Sequence, residues 1–345
     1  MASEPLTVAV TGPTGEIGKT FIRALERADG VGEIRGMARR PFDPASLGWQ
    51  RTRYVQGDIL DRDAVDELVA GADVVVHLAF IIFGDAEETQ SINLEGSRNV
   101  FAATAAAGAR RLVYTSSVAA YGFHTDNPQP LNEDVPARGS QNLYYSAQKA
   151  ELEGALTEAM AGAATETYVF RPSIVGGPDS PILVEHLPYV QAAAALPEGL
   201  RRLIGKLPTP APVLPEFGVP LQLVHADDVA DALVAGVLGR GAPGIYNLAA
   251  PGEITLSDIA REMGWSSVEL PKVGVDLTAR VLERLPFTPA STEWIQALRI
   301  PVLMDTARAR EQLGWSPAYD ALATLRETIA GARKSAEQSA APGSV

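Results

Sequence analysis

The chain has 345 residues, of which 46% are hydrophobic and 21% charged, with 31 glycines and 25 prolines. This composition is typical of a soluble globular protein of one large or two closely joined domains, and it excludes wholesale disorder and collagen-like structure. Acidic residues outnumber basic ones by 42 to 29, and the resulting net charge of -13 opposes binding to nucleic acid or to anionic membranes. With no cysteine, disulfides, thiolate catalysis and cysteine-type metal sites are excluded.

Targeting segments are not evident in the sequence. The first residues lack a basic region followed by an apolar stretch, so we expect no secretory signal and a cytoplasmic location. The most apolar run, residues 74–83, is about half the length that a membrane span needs. We interpret this run as a buried strand leading into a loop.

The first half of the chain alternates short β-branched runs with longer alanine-rich segments, which is typical of a parallel sheet covered by helices. The pattern predicts strands at residues 6–11, 33–38, 53–56, 74–78, 111–116 and 167–171. It predicts helices at residues 17–28, 64–70, 87–107 and 143–160. The predicted fold class is therefore α/β, with a doubly wound parallel sheet of the Rossmann type.

The second half of the chain differs from the first in its high proline content. Ten prolines between residues 172 and 220 predict loops and short helices, and residues 221–225 predict a strand that returns to the sheet before the chain leaves again after residue 248. We predict a dinucleotide-binding domain of residues 1–175 and 221–250, and a smaller, discontinuous C-terminal substrate-binding lobe of residues 176–220 and 251–333. The composition of residues 334–345 predicts a disordered tail.

A glycine-rich turn follows the first predicted strand and opens the first predicted helix. Glycines at such a turn let the chain bend sharply and let a pyrophosphate approach the backbone N–H groups at the start of the helix. The alternative is a plain strand-to-helix turn, but the position at the start of a βαβ pattern favours dinucleotide binding. The residues of this predicted site are Gly12, Thr14, Gly15, Glu16, Ile17 and Gly18.

The end of the second predicted strand bears on cofactor choice. An acidic residue there would bind the ribose hydroxyls of NAD, but the chain has Arg39 and Arg40. Guanidinium groups can pair with a 2′-phosphate, which favours NADP while leaving NAD possible, and the alternative is two solvated surface arginines. After the third strand, Asp58 could accept a hydrogen bond from the adenine amino group or could cap the helix that begins near Asp61.

A tyrosine and a lysine four residues apart lie in the helix predicted at residues 143–160. This spacing places Tyr145 and Lys149 on one face of the helix, whereas Tyr144 faces elsewhere. A nearby cation lowers the pKa of a phenol, so we predict that Lys149 lowers the pKa of Tyr145 and that Tyr145 acts as an acid or base, although chance spacing is the alternative. At the end of the fifth strand, Ser117 could bind a substrate oxygen, and we interpret Ser116 as a cap of the following turn.

Five motifs in order resemble the extended short-chain dehydrogenase/reductase family, also called the NAD-dependent epimerase/dehydratase family. The likeness spans residues 6–320. The motifs are the glycine turn, the Ser-Ser-x-x-x-Tyr-Gly run that ends at Gly122, the Tyr-x-x-x-Lys helix, the segment 170–178 and the segment 224–229.

The resemblance implies roles for individual residues. Ser117 would orient the substrate carbinol or carbonyl, Tyr145 would be the general acid/base, and Lys149 would bond the nicotinamide ribose. Asn93 matches a helix asparagine near this site. The remaining contacts implied by the resemblance are Leu78 and Ala79 at the adenine ribose, and Pro172 and Ser173 beside the nicotinamide carboxamide. We also include Ile59, which follows Asp58, among the predicted cofactor-binding residues.

Three functions remain open. The first is an NADP-dependent oxidoreductase for an apolar carbinol or carbonyl compound, because no arginine clamp for a diphosphate is evident and the segments expected at the pocket, such as residues 80–83, are apolar. The second is a sugar-nucleotide epimerase or dehydratase with transient cofactor reduction, and the third is a non-catalytic nicotinamide-nucleotide sensor. We expect a small-molecule substrate, a homodimer, and no metal, because the four histidines show no ligand spacing.

Overall fold

The structure, a computed structural model, describes residues 4–83, 89–187, 189–191, 211–269 and 299–340. The chain divides into two compact units. The first unit comprises Met1–Ser173, Ala226–Ala249 and Met304–Ala318. The second unit comprises Ile174–His225, Ala250–Leu303 and Tyr319–Val345.

Strands and helices alternate along most of the first unit, and the second unit also contains both kinds of element. The strands are β1 (Leu6–Thr11), β2 (Val31–Ala38), β3 (Thr52–Gln56), β4 (Val74–His77), β5 (Arg111–Thr115), β6 (Glu166–Pro172), β7 (Ile174–Gly176), β8 (Val213–Glu216), β9 (Leu223–His225), β10 (Gly244–Leu248) and β11 (Ser266–Glu269). The α-helices are α1 (Glu16–Leu25), α2 (Arg62–Val69), α3 (Gly96–Ala107), α4 (Tyr144–Ala159), α5 (Ile182–Glu185), α6 (Ala226–Val237), α7 (Leu256–Met263), α8 (Ala307–Leu313) and α9 (Ala321–Ala340). Short 3₁₀ turns span Pro44–Leu47 and Val118–Tyr121, and a π-helical turn spans Ser91–Glu95.

The first unit contains a parallel sheet of seven strands in the order β10-β6-β5-β4-β1-β2-β3. This order confirms the predicted doubly wound α/β fold. The order reverses between β1 and β4, and in sheets of this kind ligands bind beyond the carboxyl ends of the strands at that reversal. The strand ends that matter for a site are therefore those of β1, β4, β5 and β6.

The core explains why these segments form strands and helices. Strands covered by helices on both faces bury nearly every side chain, and Val8, Val75 and Leu112 are fully buried. One large cluster on the sheet includes Phe101 of α3 and Leu152 of α4. The apolar faces of α3 and α4 thus hold both helices on the strands that carry the candidate site.

The second unit has its own small core and two two-stranded parallel pairs, β7 with β9 and β8 with β11. The prediction that residues 221–225 return to the large sheet is wrong, because β9 pairs with β7 in the second unit. Both edges of β6 are already occupied, by β5 and by β10, so the large sheet offers β9 no free edge at that position. The strand that completes the sheet is β10.

Two further domain predictions need correction. Met304–Ala318 belongs to the first unit rather than to the C-terminal lobe, since the Trp315 indole N–H donates to the Asp228 carbonyl at 2.8 Å and the Ala318 amide donates to the Asp228 carboxylate at 2.7 Å.

Residues 334–340, predicted as disordered, continue helix α9. Alanine, glutamate and glutamine are good helix formers, so a helix anchored by buried Leu325 and Ile329 extends through them. Residues 341–345 lie outside the described residues.

Within the described part of the chain, no helix combines the length and the apolar character that crossing a membrane requires.

Candidate active site

The glycine turn after β1 is tightly packed against the chain that follows β4. Gly12 has a φ of 73°, and a Cβ on it would lie 2.7 Å from the backbone nitrogen of Ala79. A Cβ on Gly18 would lie 2.2 Å from the Gly12 carbonyl oxygen. Both positions therefore require glycine for the packing of the turn itself.

Gly15 differs, because no packing contact among the described residues requires a glycine at this position. A Cβ there would meet nothing closer than the Gly12 carbonyl oxygen at 3.5 Å, and Gly15 is exposed. Helix α1 starts directly after it without a side-chain cap, so its first N–H groups lack intrahelical partners. Thr14, Glu16 and Ile17 are half-buried around this opening. The turn thus offers a cradle of backbone donors that fits a pyrophosphate.

The two arginines after β2 are exposed, and their backbone is held by side chains of β3. The Tyr54 hydroxyl donates to the Ala38 carbonyl at 2.9 Å and also to the Arg40 carbonyl, and the Gln56 amide donates to the Arg39 carbonyl at 3.0 Å. Among the described residues, neither guanidinium forms an ion pair. The segment is therefore fixed while its charges remain available to an anion.

At the end of β3, the capping alternative for Asp58 is wrong. Helix α2 is capped by Asp61, whose carboxylate accepts from the Asp63 and Ala64 amides. Asp58 instead accepts from the Leu60 amide at 3.0 Å. Ile59 is buried in the core, so its backbone is the part that a cofactor could contact.

Beyond β4, Leu78 and Ala79 lie against the glycine turn. The Leu78 amide donates to the Thr11 carbonyl at 3.1 Å, and this bond continues the pairing of β1 with β4 beyond the last strand residue, His77. The predicted ribose contacts are therefore adjacent to the predicted phosphate site.

Ser117 and Tyr145 meet at the carboxyl end of β5. The Ser117 hydroxyl accepts from the Ala119 amide at 3.1 Å and so caps the turn Val118–Tyr121. The same hydroxyl interacts with the Tyr145 phenol and lowers its pKa. Ser116, predicted to be the cap, instead donates to the Glu153 carboxylate at 2.5 Å. Consecutive residues of an extended chain face opposite ways, which explains why only one of the two serines faces the phenol.

Lys149 lies one turn after Tyr145 on α4 and is only 3% exposed. Its ammonium donates to the Thr115 carbonyl at 3.0 Å, and its nitrogen is 5.9 Å from the centroid of the Tyr145 ring. No carboxylate among the described residues forms an ion pair with it. Burial lowers the pKa of Lys149 to about 7, although the charge of Glu153 acts in the opposite direction.

The pKa of Tyr145 rises overall, whereas the sequence analysis expected a nearby cation to lower it. Burial raises the pKa of Tyr145 to about 12, and the interaction with Ser117 offsets only part of this rise. Removing a phenolate from water is costly, and this cost is the largest influence on the pKa of the phenol. The phenol therefore keeps its proton at neutral pH.

Asn93, in the π-helical turn before α3, organises the loop after β4. Its side-chain amide donates to the Ile81 carbonyl at 2.9 Å and its side-chain oxygen accepts from the Ile81 amide at 2.8 Å. It also donates to the Gln148 side chain, next to Lys149, at 2.9 Å. Asn93 therefore joins the loop to the helix that carries the tyrosine, and π-helical turns are frequent at functional sites.

A buried ion pair that the sequence analysis missed lies at the next turn of α4. Arg171 of β6 donates to both carboxylate oxygens of Glu153, at 2.9 and 2.5 Å, and is 1% exposed. Two features of the sequence could have indicated it. Glu153 follows Lys149 by four residues on the same helix face, and Arg171 follows the apolar residues Val169 and Phe170 of a strand.

Two buried hydroxyls at the ends of β5 and β6 have no hydrogen-bond partner among the described residues, those of Thr115 and Ser173. Buried polar groups without partners are rare in folded proteins. Ser173 follows Pro172, the last residue of β6, and both are predicted to lie beside the carboxamide. Together with the glycine turn, these hydroxyls fit a nicotinamide dinucleotide along the carboxyl edge of the sheet.

His77, the last residue of β4, is buried, and both of its ring nitrogens are hydrogen-bonded. Its ring nitrogens bond to the Thr11 hydroxyl at 2.7 Å and to the Ser97 hydroxyl at 2.8 Å. Burial, with a smaller contribution from Lys149, lowers the pKa of His77 to about 3, so the ring is neutral. In the described part of the chain, no group of three or more histidine, aspartate or glutamate side chains could hold a metal ion.

Curated relatives include enzymes that act on carbonyl or hydroxyl groups. The chain is 32% identical over 206 residues to 2-alkyl-3-oxoalkanoate reductase of Shewanella oneidensis, a match that covers 57% of this chain and 50% of the reductase. It is 32% identical over 191 residues to human 3 beta-hydroxysteroid dehydrogenase type 7, covering 51% of this chain and 52% of that protein. The match thus spans about half the length of either relative.

Solved structures show the same fold at low identity. The dTDP-glucose 4,6-dehydratase of Streptomyces venezuelae, solved with NAD and TYD bound, aligns with a TM-score of 0.72 at 19% identity, covering 96% of this chain and 98% of its own. The Bordetella bronchiseptica enzyme WbmH, solved with NAD+, aligns with a TM-score of 0.69 at 20% identity, covering 96% and 99%. The family profile matches residues 8–249. The chain therefore belongs to the NAD dependent epimerase/dehydratase family.

Proposed function

We propose that the protein is an NADP-dependent oxidoreductase that interconverts an apolar ketone and the corresponding secondary alcohol. The observation that carries this proposal is the position of the Tyr145 phenol, which interacts with Ser117 and lies one helical turn from the buried amine of Lys149. Two hydroxyls and an amine at the carboxyl end of β5 are the groups that proton transfer to a carbonyl oxygen needs.

Tyr145 and Ser117 have distinct tasks when the reaction is written as a reduction. NADPH, when bound, supplies the hydride that attacks the carbonyl carbon. The oxygen gains negative charge as this bond forms, and Tyr145, which holds its proton because its pKa is about 12, donates that proton to the oxygen. Ser117 donates a hydrogen bond to the same oxygen. Oxidation of the alcohol runs through the same groups in reverse.

The apolar character of the substrate is supported by the names of related enzymes. The relatives with 31–32% identity are named for 2-alkyl-3-oxoalkanoates, 3 beta-hydroxysteroids and sterols. All three are lipophilic molecules.

The test is an absorbance assay of reduced nicotinamide with a panel of 2-alkyl-3-oxo acids and 3-ketosteroids. We expect at least one of these ketones to be reduced with one NADPH oxidised per molecule of alcohol formed. Sugar nucleotides serve as the comparison panel. Conversion of sugar nucleotides alone, with no ketone reduced, would contradict the proposal.

An epimerase is the second candidate. The chain is 34% identical over 126 residues, 35% of its length, to an undecaprenol-linked N-acetylglucosaminyl 4-epimerase of Escherichia coli. An epimerase oxidises and reduces its substrate within one turnover, so it leaves the amount of reduced cofactor unchanged. The same assay therefore separates the two candidates.

The choice of NADP is supported by the exposed arginines after β2. Their backbone is held by Tyr54 and Gln56, so a 2′-phosphate would meet guanidinium groups in a fixed segment. We expect calorimetry to show tighter binding of NADP than of NAD. Arg39→Ala should weaken NADP binding roughly tenfold and leave NAD binding unchanged.

The control for this measurement is Arg62→Ala, which removes an exposed arginine whose partner is Asp66 on α2. We expect it to bind both cofactors as the parent protein does. Equal affinity of the parent protein for NADP and NAD would defeat the argument from Arg39.

A further inference from the structure

We propose that Phe80 is a positioning residue of the proton-transfer pair, whose ring holds the Lys149 ammonium on its face and packs against the ring of Tyr145. The Lys149 nitrogen lies 3.7 Å from the centroid of the Phe80 ring. The Phe80 and Tyr145 rings are 5.5 Å apart and nearly perpendicular, with an interplanar angle of 83°. One side chain of the loop after β4 thus contacts both members of the pair.

The position of Phe80 is set by the residues that follow it. Asn93 binds both backbone groups of Ile81, and the Tyr144 hydroxyl donates to the Ile82 carbonyl. Tyr144 precedes Tyr145 on α4, so the loop is bonded to the helix that carries the pair. The ring is therefore held over Lys149 by backbone bonds that do not involve Phe80 itself.

The donors of Lys149 explain why an aromatic ring suits this place. An ammonium has three N–H groups and no acceptor. One N–H donates to the Thr115 carbonyl, and the face of the Phe80 ring attracts the charge as a second partner. One N–H is left for the nicotinamide ribose that the resemblance implies. A carboxylate in place of the ring would bind the amine more strongly, but it would compete for that donor.

The other titratable groups around Lys149 do not replace this contact. Glu153 and Tyr145 lie on the same helix, and Glu153 is bonded to Arg171 and Ser116. From the sheet, the Tyr114 ring of β5 lies 5.3 Å from the Lys149 nitrogen, and neutral His77 of β4 bonds to Thr11 and Ser97. Phe80 is therefore the nearest aromatic face to the amine among the described residues.

The test is the titration of Lys149 by NMR in protein labelled with carbon-13 at the lysine ε position. The chain has only five lysines, and Lys149→Met identifies the resonance by its loss. Phe80→Leu keeps an apolar side chain but removes the ring, so we expect it to lower the pKa of Lys149 by about one pH unit. Phe80→Tyr keeps the ring and should restore the pKa of the parent protein.

The competing view is that the ring only excludes water. In that case Phe80→Leu would leave the pKa of Lys149 unchanged or raise it, and either result overturns the proposal. Phe80→Met, a second apolar side chain without a ring, repeats the test if Phe80→Leu does not fold.

The matched control is Phe42→Leu, because Phe42 packs on Trp49 and Tyr54 far along the chain and should leave the pKa of Lys149 unchanged. The inference rests on the proposed function only for its consequence in catalysis. The titration uses neither cofactor nor substrate. It can therefore contradict the role of Phe80 while the reductase assay supports the proposed function, and the assay can contradict the proposed function while the titration supports the role of Phe80.

Discussion

Two buried cations, Lys149 on helix α4 and Arg171 on strand β6, differ in the groups that surround their charges. Arg171 binds both oxygens of Glu153, and although burial alone would lower the pKa of Arg171, the bonds and charge of Glu153 raise it overall. Lys149 has a carbonyl oxygen and aromatic rings around it, and burial lowers its pKa to about 7. The paired cation has a permanent charge, whereas the charge of Lys149 is adjustable near neutral pH. Perturbed groups of the second kind concentrate at functional sites.

The largest predicted effect is on turnover, and it concerns Tyr145, the neighbour of Lys149 on α4. Tyr145→Phe removes the proposed proton donor, so we expect turnover to fall by about 10²–10⁴-fold while the affinity for NADPH stays nearly unchanged. Steady-state NADPH oxidation measures the first quantity and calorimetry the second. Full activity of this variant would remove Tyr145 from the mechanism.

The next largest effect should come from breaking the paired cation. Glu153→Gln leaves Arg171 charged and buried without its partner, so we expect the free energy of unfolding to fall by about 3–5 kcal/mol. Urea denaturation measures it. Glu158→Gln, an exposed position on the same helix, is the control and should change stability little.

A double variant tests whether the loss comes from the uncompensated charge. Glu153→Met combined with Arg171→Met should recover much of the stability, because replacing both partners removes the unpaired ion. A double variant no more stable than Glu153→Gln would contradict this account of the ion pair.

The smallest effect concerns the pH dependence of stability. The pKa of Lys149 is about 7 in the folded chain and about 10.4 in an unfolded one, so the unfolded chain binds more protons between these values. Stability therefore rises as the pH increases from about 7 to about 10. The difference in pKa corresponds to about 4 kcal/mol at neutral pH. Lys149→Met should remove this rise and stabilise the fold at neutral pH by roughly 2 kcal/mol, because the variant also loses the bond to the Thr115 carbonyl and the contact with the Phe80 ring.

Urea unfolding at neutral and alkaline pH checks this prediction. The difference between Lys149→Met and the parent protein should shrink as the pH rises, because the amine of the parent protein is then neutral in both states. A variant that is less stable than the parent at neutral pH would show that Lys149 is a structural residue like Arg171.

The sheet could be predicted from the sequence, and candidate site residues could be proposed, because both leave local signals. Buried parallel strands are apolar runs, and β1 was predicted at the residues where it occurs. The glycine turn and the Tyr145–Lys149 spacing are equally local. The separate roles of two consecutive residues were harder to predict, since Ser116 and Ser117 differ only in the direction that each side chain faces in the folded chain.

Electrostatics and long-range packing could not be read in the same way. The pKa of Tyr145 depends on how completely the fold removes it from water, and the sequence favoured the wrong direction because only the nearby cation was visible. The ion pair of Glu153 with Arg171 joins residues 18 positions apart. The return of Met304–Ala318 to the first unit depends on bonds to Asp228, which no local pattern indicates.

The most direct test of the proposed ketone reduction follows deuterium from the transferable position of deuterated NADPH. With an apolar ketone as substrate, we expect deuterium on the carbinol carbon of the product and one oxidised cofactor per alcohol. Conversion of a sugar nucleotide with no net oxidation of the cofactor, and no deuterium in any ketone of the panel, would contradict it.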